Sequence, residues 1–297
     1  MMRVLGFGDN IVDRFVDRAV EYPGGNAVNV AVYAHRLGAH AEYLGVFGDD
    51  ERGVFLRSSI EDAGVPTPRS LIRRGESGVS SLRVDDGERV FLGWNGGGIT
   101  VREPIDLDEG REEYAAGFDL VHSSVYSRTE SQLPRLRRHH ALVTFDLSSE
   151  AEFREPAYLD RIAPFADLVL LSCAELDEDA AFALLEEVVV RGAGLALGTR
   201  GTDGALITDG RVRRSAPARR IPDDVDLIDT MGCGDAFLAG FLVALHGRGW
   251  RRGSIPTGDD LHSALEAGAD AAHDQCFVEG AFERGRPSDD PVPANMW

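Results

Sequence analysis

Lysine is missing from this chain of 297 residues, and all 31 of its basic side chains are arginines. Chemistry that depends on an ε-amine is therefore excluded: the Walker-A P-loop, the phosphate-binding lysine of protein kinases, and Schiff-base catalysis. Any phosphate bound here is held by backbone amides and guanidinium groups. Cysteine is nearly as scarce. Cys173, Cys233 and Cys276 are odd in number, widely separated and without Cys-x-x-Cys spacing, which argues against a disulfide framework or a zinc site and fits a reducing compartment. No apolar run reaches membrane-spanning length, and Met1 to Leu5 lead into a strand-like pattern rather than a secretory signal. A cytoplasmic location without membrane contact is expected. Basic charge is also in deficit, with 50 acidic residues against 31 basic ones and a formal net charge of −19. Such a field repels nucleic acid and anionic membranes, whereas a small phosphate in a pocket remains compatible.

What is present is the composition of a globular chain, 43% hydrophobic, with no break that divides it, so residues 1–297 read as one domain. Apolar runs of strand length at Arg3–Gly8, Glu42–Val46, Asp119–Ser123, Leu142–Asp146, Leu168–Leu171 and Leu195–Gly198 alternate with helical patterns. That alternation predicts an α/β fold, a doubly wound, mostly parallel sheet with helices on both faces, whose ligands bind beyond the carboxyl ends of the strands. Thr129 to Gln132 before Leu133 reads as a capping box, and Glu175 to Val190 as a long amphipathic helix ended at Gly192. One segment departs from the alternation: Gly78–Val84 and Glu88–Leu92 around Asp86-Gly87 form a β-hairpin signal.

Two glycine-rich strings carry the chemistry. Asp229-Thr230-Met231-Gly232-Cys233-Gly234-Asp235 opens directly onto the apolar run Ala236–Leu242. Glycines at a helix start let backbone N–H groups converge on an anion, and Asp235 in that first turn is placed to accept a proton from an attacking hydroxyl. A turn with an acidic cap would produce the same letters. Gly24-Gly25-Asn26 precedes a helix with apolar residues at 27, 30, 31 and 34, and Asn29 near its start offers a donor and an acceptor to a sugar hydroxyl. After the first strand, Asp9 and Asp13 put two carboxylates at the sheet edge, where paired acceptors can hold polyol hydroxyls. His122 and Asp146 end two strands, each able to face a pocket or to serve as an ordinary hydrogen-bonded residue.

These strings, in this order, resemble the two signatures of the PfkB (ribokinase-like) carbohydrate kinase family, the first continuing through Gly45–Gly53. The likeness spans about residues 3 to 282. It implies a ribokinase-like fold with a small β-sheet lid, assigned to about 11–22 and 70–98, and a loosely ordered tail over 283–297. Asp235 becomes the catalytic base, with the amides of Gly232, Cys233 and Gly234 as an anion hole and the Cys233 side chain as filler. Asp13, with Asp9, Gly25 and Asn29, would bind the sugar. Thr199-Arg200-Gly201-Thr202-Asp203-Gly204 resembles the family turn beside ATP, with Thr199, Gly201 and Gly204 the matching positions. ATP and Mg²⁺ are the implied cofactors, with K⁺ a further one in many relatives. The family's Asn-x-x-Glu is replaced by Ala174-Glu175-Leu176-Asp177, leaving Glu175 or Asp177 for the Mg²⁺ shell, while Asp229 and Thr230 correspond to a monovalent-cation site. Lids of this kind pair between subunits, so a homodimer is implied. The spelling further resembles the members that phosphorylate fructosamines, pointing to the 6-OH of a fructosamine such as fructoselysine, with fructokinase, ribokinase and ribonucleoside kinase activities as alternatives. A non-catalytic sugar- or nucleotide-binding sensor is the reading of another class. A nicotinamide dehydrogenase is disfavoured, because no Gly-x-Gly-x-x-Gly turn follows the first strand.

Overall fold

The apolar runs pair into one large sheet because each alternates between two buried faces. The computed structural model describes residues 1–85, 88–222 and 225–288. Its strands are β1 Arg3–Gly8, β2 Ile11–Phe15, β3 Val20–Gly24, β4 His40–Gly48, β5 Leu71–Arg73, β6 Val79–Asp85, β7 Glu88–Trp94, β8 Leu120–Ser124, β9 Leu142–Asp146, β10 Leu168–Ser172, β11 Leu195–Thr199, β12 Ala205–Thr208, β13 Arg213–Ala216 and β14 Arg286–Pro287. Its helices are α1 Asn26–Arg36, α2 Glu51–Asp62, α3 Gly98–Arg102, α4 Glu109–Ala115, α5 Leu133–Leu136, α6 Pro156–Ile162, α7 Glu178–Val190, α8 Cys233–Gly247 and α9 Gly258–Gln275. None is long and apolar enough to cross a membrane among the described residues.

The large sheet runs β13-β12-β11-β10-β9-β8-β1-β4-β5. From β11 across to β5 all neighbours are parallel, and β12 and β13 close one edge antiparallel. Successive residues of a strand point to opposite faces. Leu168 and Leu170 of β10 therefore join the core with Val30 of α1, Phe241 of α8 and Leu265 of α9. Val169 and Leu171 enter the other core, with Leu133 of α5, Leu159 of α6 and Leu185 of α7. Helices cover both faces, as the alternation predicted. The parallel strands end at one edge, and there Asp9, Ser124, Asp146, Ser172 and Thr199 lie.

A second sheet, in the order β14-β3-β2-β6-β7, packs Phe15, Tyr22 and Leu82 into a small core of its own. Two boundaries differ from expectation. Residues 71–73, expected in the lid, extend the large sheet by pairing with β4. Part of the expected loose tail is ordered: Arg286 and Pro287 pair with β3, and the Arg286 guanidinium meets the buried carboxylate of Glu21 at 2.7 Å. The Asp86-Gly87 turn and residues 289–297 lie outside the described residues.

Local chemistry explains two further differences. Thr129 makes no cap; its hydroxyl pairs instead with Ser123 Oγ at 2.6 Å, and a single 3₁₀ turn leads into the short α5. The long helix begins at Glu178 rather than Glu175, because the Asp177 carboxylate accepts from the backbone N–H of Ala180 and so caps it.

Candidate active site

The site forms where the amino ends of α1 and α8 meet the carboxyl edge of the sheet. Gly232 precedes α8 in the left-handed region (φ 74°), and a Cβ there would overlap the Tyr33 hydroxyl, which itself bonds the carbonyl of Ala281. Glycine is required at this position by both backbone and space. The first amide of α8 with an intrahelical acceptor is Ala236 N, bonded to Gly232 O at 2.8 Å. The amides of Gly234 and Asp235 therefore precede the hydrogen-bonded ladder, as the first N–H groups of any helix do. Cys233 N donates to Thr230 O at 3.3 Å, so of the three amides of the expected anion hole one is engaged within the loop.

Asp235 is buried in the first turn of α8, and its carboxylate is held by α1. Asn29 Nδ2 donates to Oδ2 at 2.8 Å, and Asn26 Nδ2 approaches Oδ1 at 3.3 Å while bonding Asp146 Oδ2 at 2.6 Å. Asn26 and Asn29 lie three positions apart and so share one helix face. Burial, and next the Asp146 charge, push the Asp235 carboxyl well above the ordinary carboxylate range; the bond from Asn29 acts in the opposite direction. Asp146 rises to about 6, chiefly by burial, against the bonds from Ser148 N and Asn26. Such an arrangement can serve as a base: a carboxylate fixed in position, raised in basicity and facing a cavity at a helix amino end.

That cavity has a volume of about 540 Å³ and is lined by Asp13, Asn29 and Asp235 on its inner side and by Phe91, Trp94 and Arg128 among others toward its mouth. Gly25 (φ 117°) leaves no room for a side chain against Asn10 and Asp9. Asp13 is buried beside Gly24, where a Cβ would run into its carboxylate. Asp9 also borders the cavity, but its Oδ1 accepts from Ser124 Oγ at 2.8 Å, Ser127 Oγ at 2.6 Å and Ala27 N at 3.3 Å. It ties the end of β8 to the start of α1 and thereby positions the asparagines.

The other expected residues stand elsewhere. Thr199, Gly201 and Gly204 form a tight turn after β11, closed by Arg200 N on Gly204 O at 2.7 Å, at the same sheet edge but two strands from β9 and outside the cavity. Glu175 is ion-paired with Arg154, and Asp177 is the helix cap already described. Asp229 is buried and accepts from Met231 N at 3.0 Å and Gly280 N at 3.1 Å, pinning the loop before α8 to the segment after α9; Thr230 beside it is exposed. Among the described residues no group of three or more His, Cys, Asp or Glu side chains is arranged to hold a metal ion. His122 is fully buried away from the cavity, bonded through Nδ1 to Thr144 Oγ1 at 2.9 Å, and burial brings it down to about 3, so it is neutral. Cys233 and Cys276, 43 positions apart in sequence, face each other with sulfurs 3.6 Å apart. The contact brings the Cys276 thiol down to about 7.

Asn26, which bonds Asp146 and approaches Asp235, is the cavity side chain the sequence reading passed over. The signal was its i, i+3 spacing to Asn29, but the carboxylates both asparagines serve come from β9 and α8, 120 and 206 or more residues away. Asp146 reads in sequence as a strand end able to face a pocket or to serve as an ordinary hydrogen-bonded residue.

Solved kinases share this fold. Fructokinase with bound ATP from Xylella fastidiosa matches with a TM-score of 0.77 at 22% identity, over 95% of this chain and 94% of its own. Aminoimidazole riboside kinase from Salmonella enterica, complexed with aminoimidazole riboside and an ATP analogue, matches with a TM-score of 0.70 at 23% identity, over 95% and 96%. The fold is thus ribokinase-like. Sequence supplies the family: the pfkB family carbohydrate kinase model matches residues 7–283, and the chain belongs to that family. It is 36% identical to fructosamine kinase FrlD of Bacillus subtilis over 287 residues, 96% of this chain and 95% of the relative. It is 32% identical to fructoselysine 6-kinase of Escherichia coli over 284 residues, 95% and 100% respectively. The protein is a carbohydrate kinase.

Proposed function

We propose that this kinase transfers the γ-phosphoryl group of ATP to the primary hydroxyl at C6 of a fructosamine, of which fructoselysine is the type. The observation that carries the catalytic part is the Asp235 carboxylate, fixed by Asn29 at the amino end of α8 and facing the cavity. In this reading the sugar lies against Asp13 with its primary hydroxyl toward Asp235. The hydroxyl oxygen attacks the γ-phosphorus, its proton passes to Asp235, and the bond from phosphorus to the departing ADP oxygen breaks. Amides at the start of α8 face the charge on the equatorial oxygens, and the helix dipole adds to their effect. Phosphoryl transfer needs positioning and charge stabilisation more than covalent help, and this site supplies both.

Thr199, Gly201 and Gly204 hold the nucleotide in this reading, beside the sugar pocket along the same sheet edge. The small sheet acts as a lid, since exclusion of water keeps transfer from becoming hydrolysis. Magnesium, when bound, neutralises the nucleotide phosphates. Glu175 and Asp177 do not fit its water shell as they stand, one being ion-paired and the other capping a helix, and no step runs through the metal.

The fructosamine assignment is supported by relatives named for that substrate at 36% and 32% identity across almost the whole chain. A panel that couples ADP release to fructoselysine, other fructosamines, fructose, ribose and nucleosides tests it. Fructoselysine or another fructosamine is expected to give the highest kcat/KM. A higher value for fructose, ribose or a nucleoside would reject the assignment.

A further inference from the structure

Beyond the sugar, the cavity wall carries charge that a neutral hexose does not use. Arg128 is the only basic side chain lining the cavity among the described residues. It follows the 3₁₀ turn after β8 with a left-handed backbone (φ 54°), and its guanidinium is exposed at the mouth. It makes no hydrogen bond or ion pair with any described residue, in a chain where arginines such as Arg52, Arg154 and Arg191 are paired. Two carboxylates stand on the same wall after β9. Glu150 is half-buried and fixed, accepting from Tyr126 Oη at 2.5 Å, while Glu152 is exposed. Phe91, Trp94 and Phe153 add apolar surface to the lining of the same cavity.

We infer that this wall recognises the amino-acid part of the acceptor, with Arg128 taking an α-carboxylate and Glu150 and Glu152 an α-ammonium group, so that these residues set the preference among fructosamines. The inference rests on the fructosamine reading above. A lysine carried on the sugar through its ε-nitrogen presents a chain of methylenes and then one anionic and one cationic group, and the cavity lining offers aromatic rings for the first and charges of both signs for the second. An unpaired guanidinium matches a carboxylate in its planar, two-pronged geometry. Closure of the small sheet, which carries Phe91 and Trp94 on β7, removes water from these pairs and strengthens them.

Three acceptors of equal length separate the parts: the fructosamines of lysine (ε-linked), of 6-aminohexanoate, which lacks the α-ammonium, and of pentylamine, which lacks both charges. For the wild type, kcat/KM is expected to fall at each step, by roughly ten-fold overall. Arg128→Asn, chosen because asparagine tolerates a left-handed backbone, should bring the 6-aminohexanoate and pentylamine derivatives to equal kcat/KM, acting mainly through KM and leaving the KM for ATP in place. Glu152→Gln, an exposed change that does not threaten folding, should reduce the preference for lysine over 6-aminohexanoate and nothing else. If Arg128→Asn lowers all three acceptors equally, or raises the KM for ATP, the guanidinium serves the phosphates or the fold and the inference is overturned. It is also overturned if the wild type uses the three alike. A wild type that turns over fructose but none of the three rejects the fructosamine reading, and the amino-acid wall falls with it.

Discussion

Asn29 Nδ2 donates to Asp235 Oδ2 at 2.8 Å, joining the second turn-start of α1 to the first turn of α8. The sequence reading gave Asn29 to the sugar; Asn29 lines the cavity, and its amide nitrogen holds the carboxylate of Asp235. A base must be both oriented and ionised, and this one bond does both, since it favours the charged form against burial.

Asp235→Asn should therefore abolish turnover with little effect on ligand binding, a loss of roughly 10²–10⁴ in kcat for a general base. Asn29→Ala should lower kcat less, and it should move the acidic limb of the kcat/KM profile to higher pH, because the carboxylate loses a donor that favours ionisation. Steady-state kinetics across pH check both, and an unmoved limb in Asn29→Ala would separate Asn29 from the base.

Asp146→Asn should shift the same limb in the opposite direction. Removing a neighbouring negative charge makes Asp235 easier to ionise, so activity persists to lower pH. Stability carries a second signature. Asp146 has a folded-state value of about 6 against an ordinary 3.8, so the native state holds this proton more tightly than the unfolded chain. Its contribution to stability is present below the lower value and is lost as pH rises through the higher one, on the order of 3 kcal/mol. The variant should melt higher than wild type at pH 7 and converge with it toward pH 4. Equal Tm values at pH 7 would contradict the shift.

The two glycines of the α8 loop should fail in different ways. Gly232→Ala meets the Tyr33 hydroxyl and an unfavourable φ, so its cost, about 1–3 kcal/mol from the backbone alone, should appear as a lower Tm. A Cβ on Gly234 would point into open space beyond its own helix backbone, so Gly234→Val should keep its Tm and lose activity by blocking approach to the amides. Losing one such donor is worth about 2.7–4 kcal/mol in the transition state. Calorimetry and kcat on both variants decide it; a fully active Gly234→Val would remove that amide from the anion hole.

Cys233→Ala should leave kcat near wild type, as the loop contributes backbone rather than sulfur. The thiol of Cys276 should rise from about 7 toward its ordinary range, because the Cys233 contact is what lowers it. The pH dependence of Cys276 alkylation, followed by peptide mapping, measures this, and an unchanged midpoint would assign the shift to another neighbour.

Asp13→Ala should raise the KM for the sugar by roughly ten-fold while the KM for ATP stays in place, since each unpaired buried hydroxyl costs about 1–3 kcal/mol. An unchanged sugar KM would make Asp13 a structural carboxylate of β2.

The sequence by itself determined the sheet, the two glycine loops and Asp235. Those features are local: apolar runs of strand length define strands, and glycines before an apolar helix define a turn open to an anion whatever the rest of the chain does. Tertiary structure alone decided which side chains the loops serve. Asp9 borders the cavity and also accepts from Ser124 and Ser127, while Glu175 meets Arg154 and Asp177 meets the Ala180 amide. Cys233 and Cys276 are distant in sequence and adjacent in space only because α8 packs against α9. A carboxylate's role depends on what lies within about 3 Å of it, and Ser124, Ser127 and Asn29 lie 115, 118 and 206 positions from the carboxylates they meet, a pairing that no local pattern encodes.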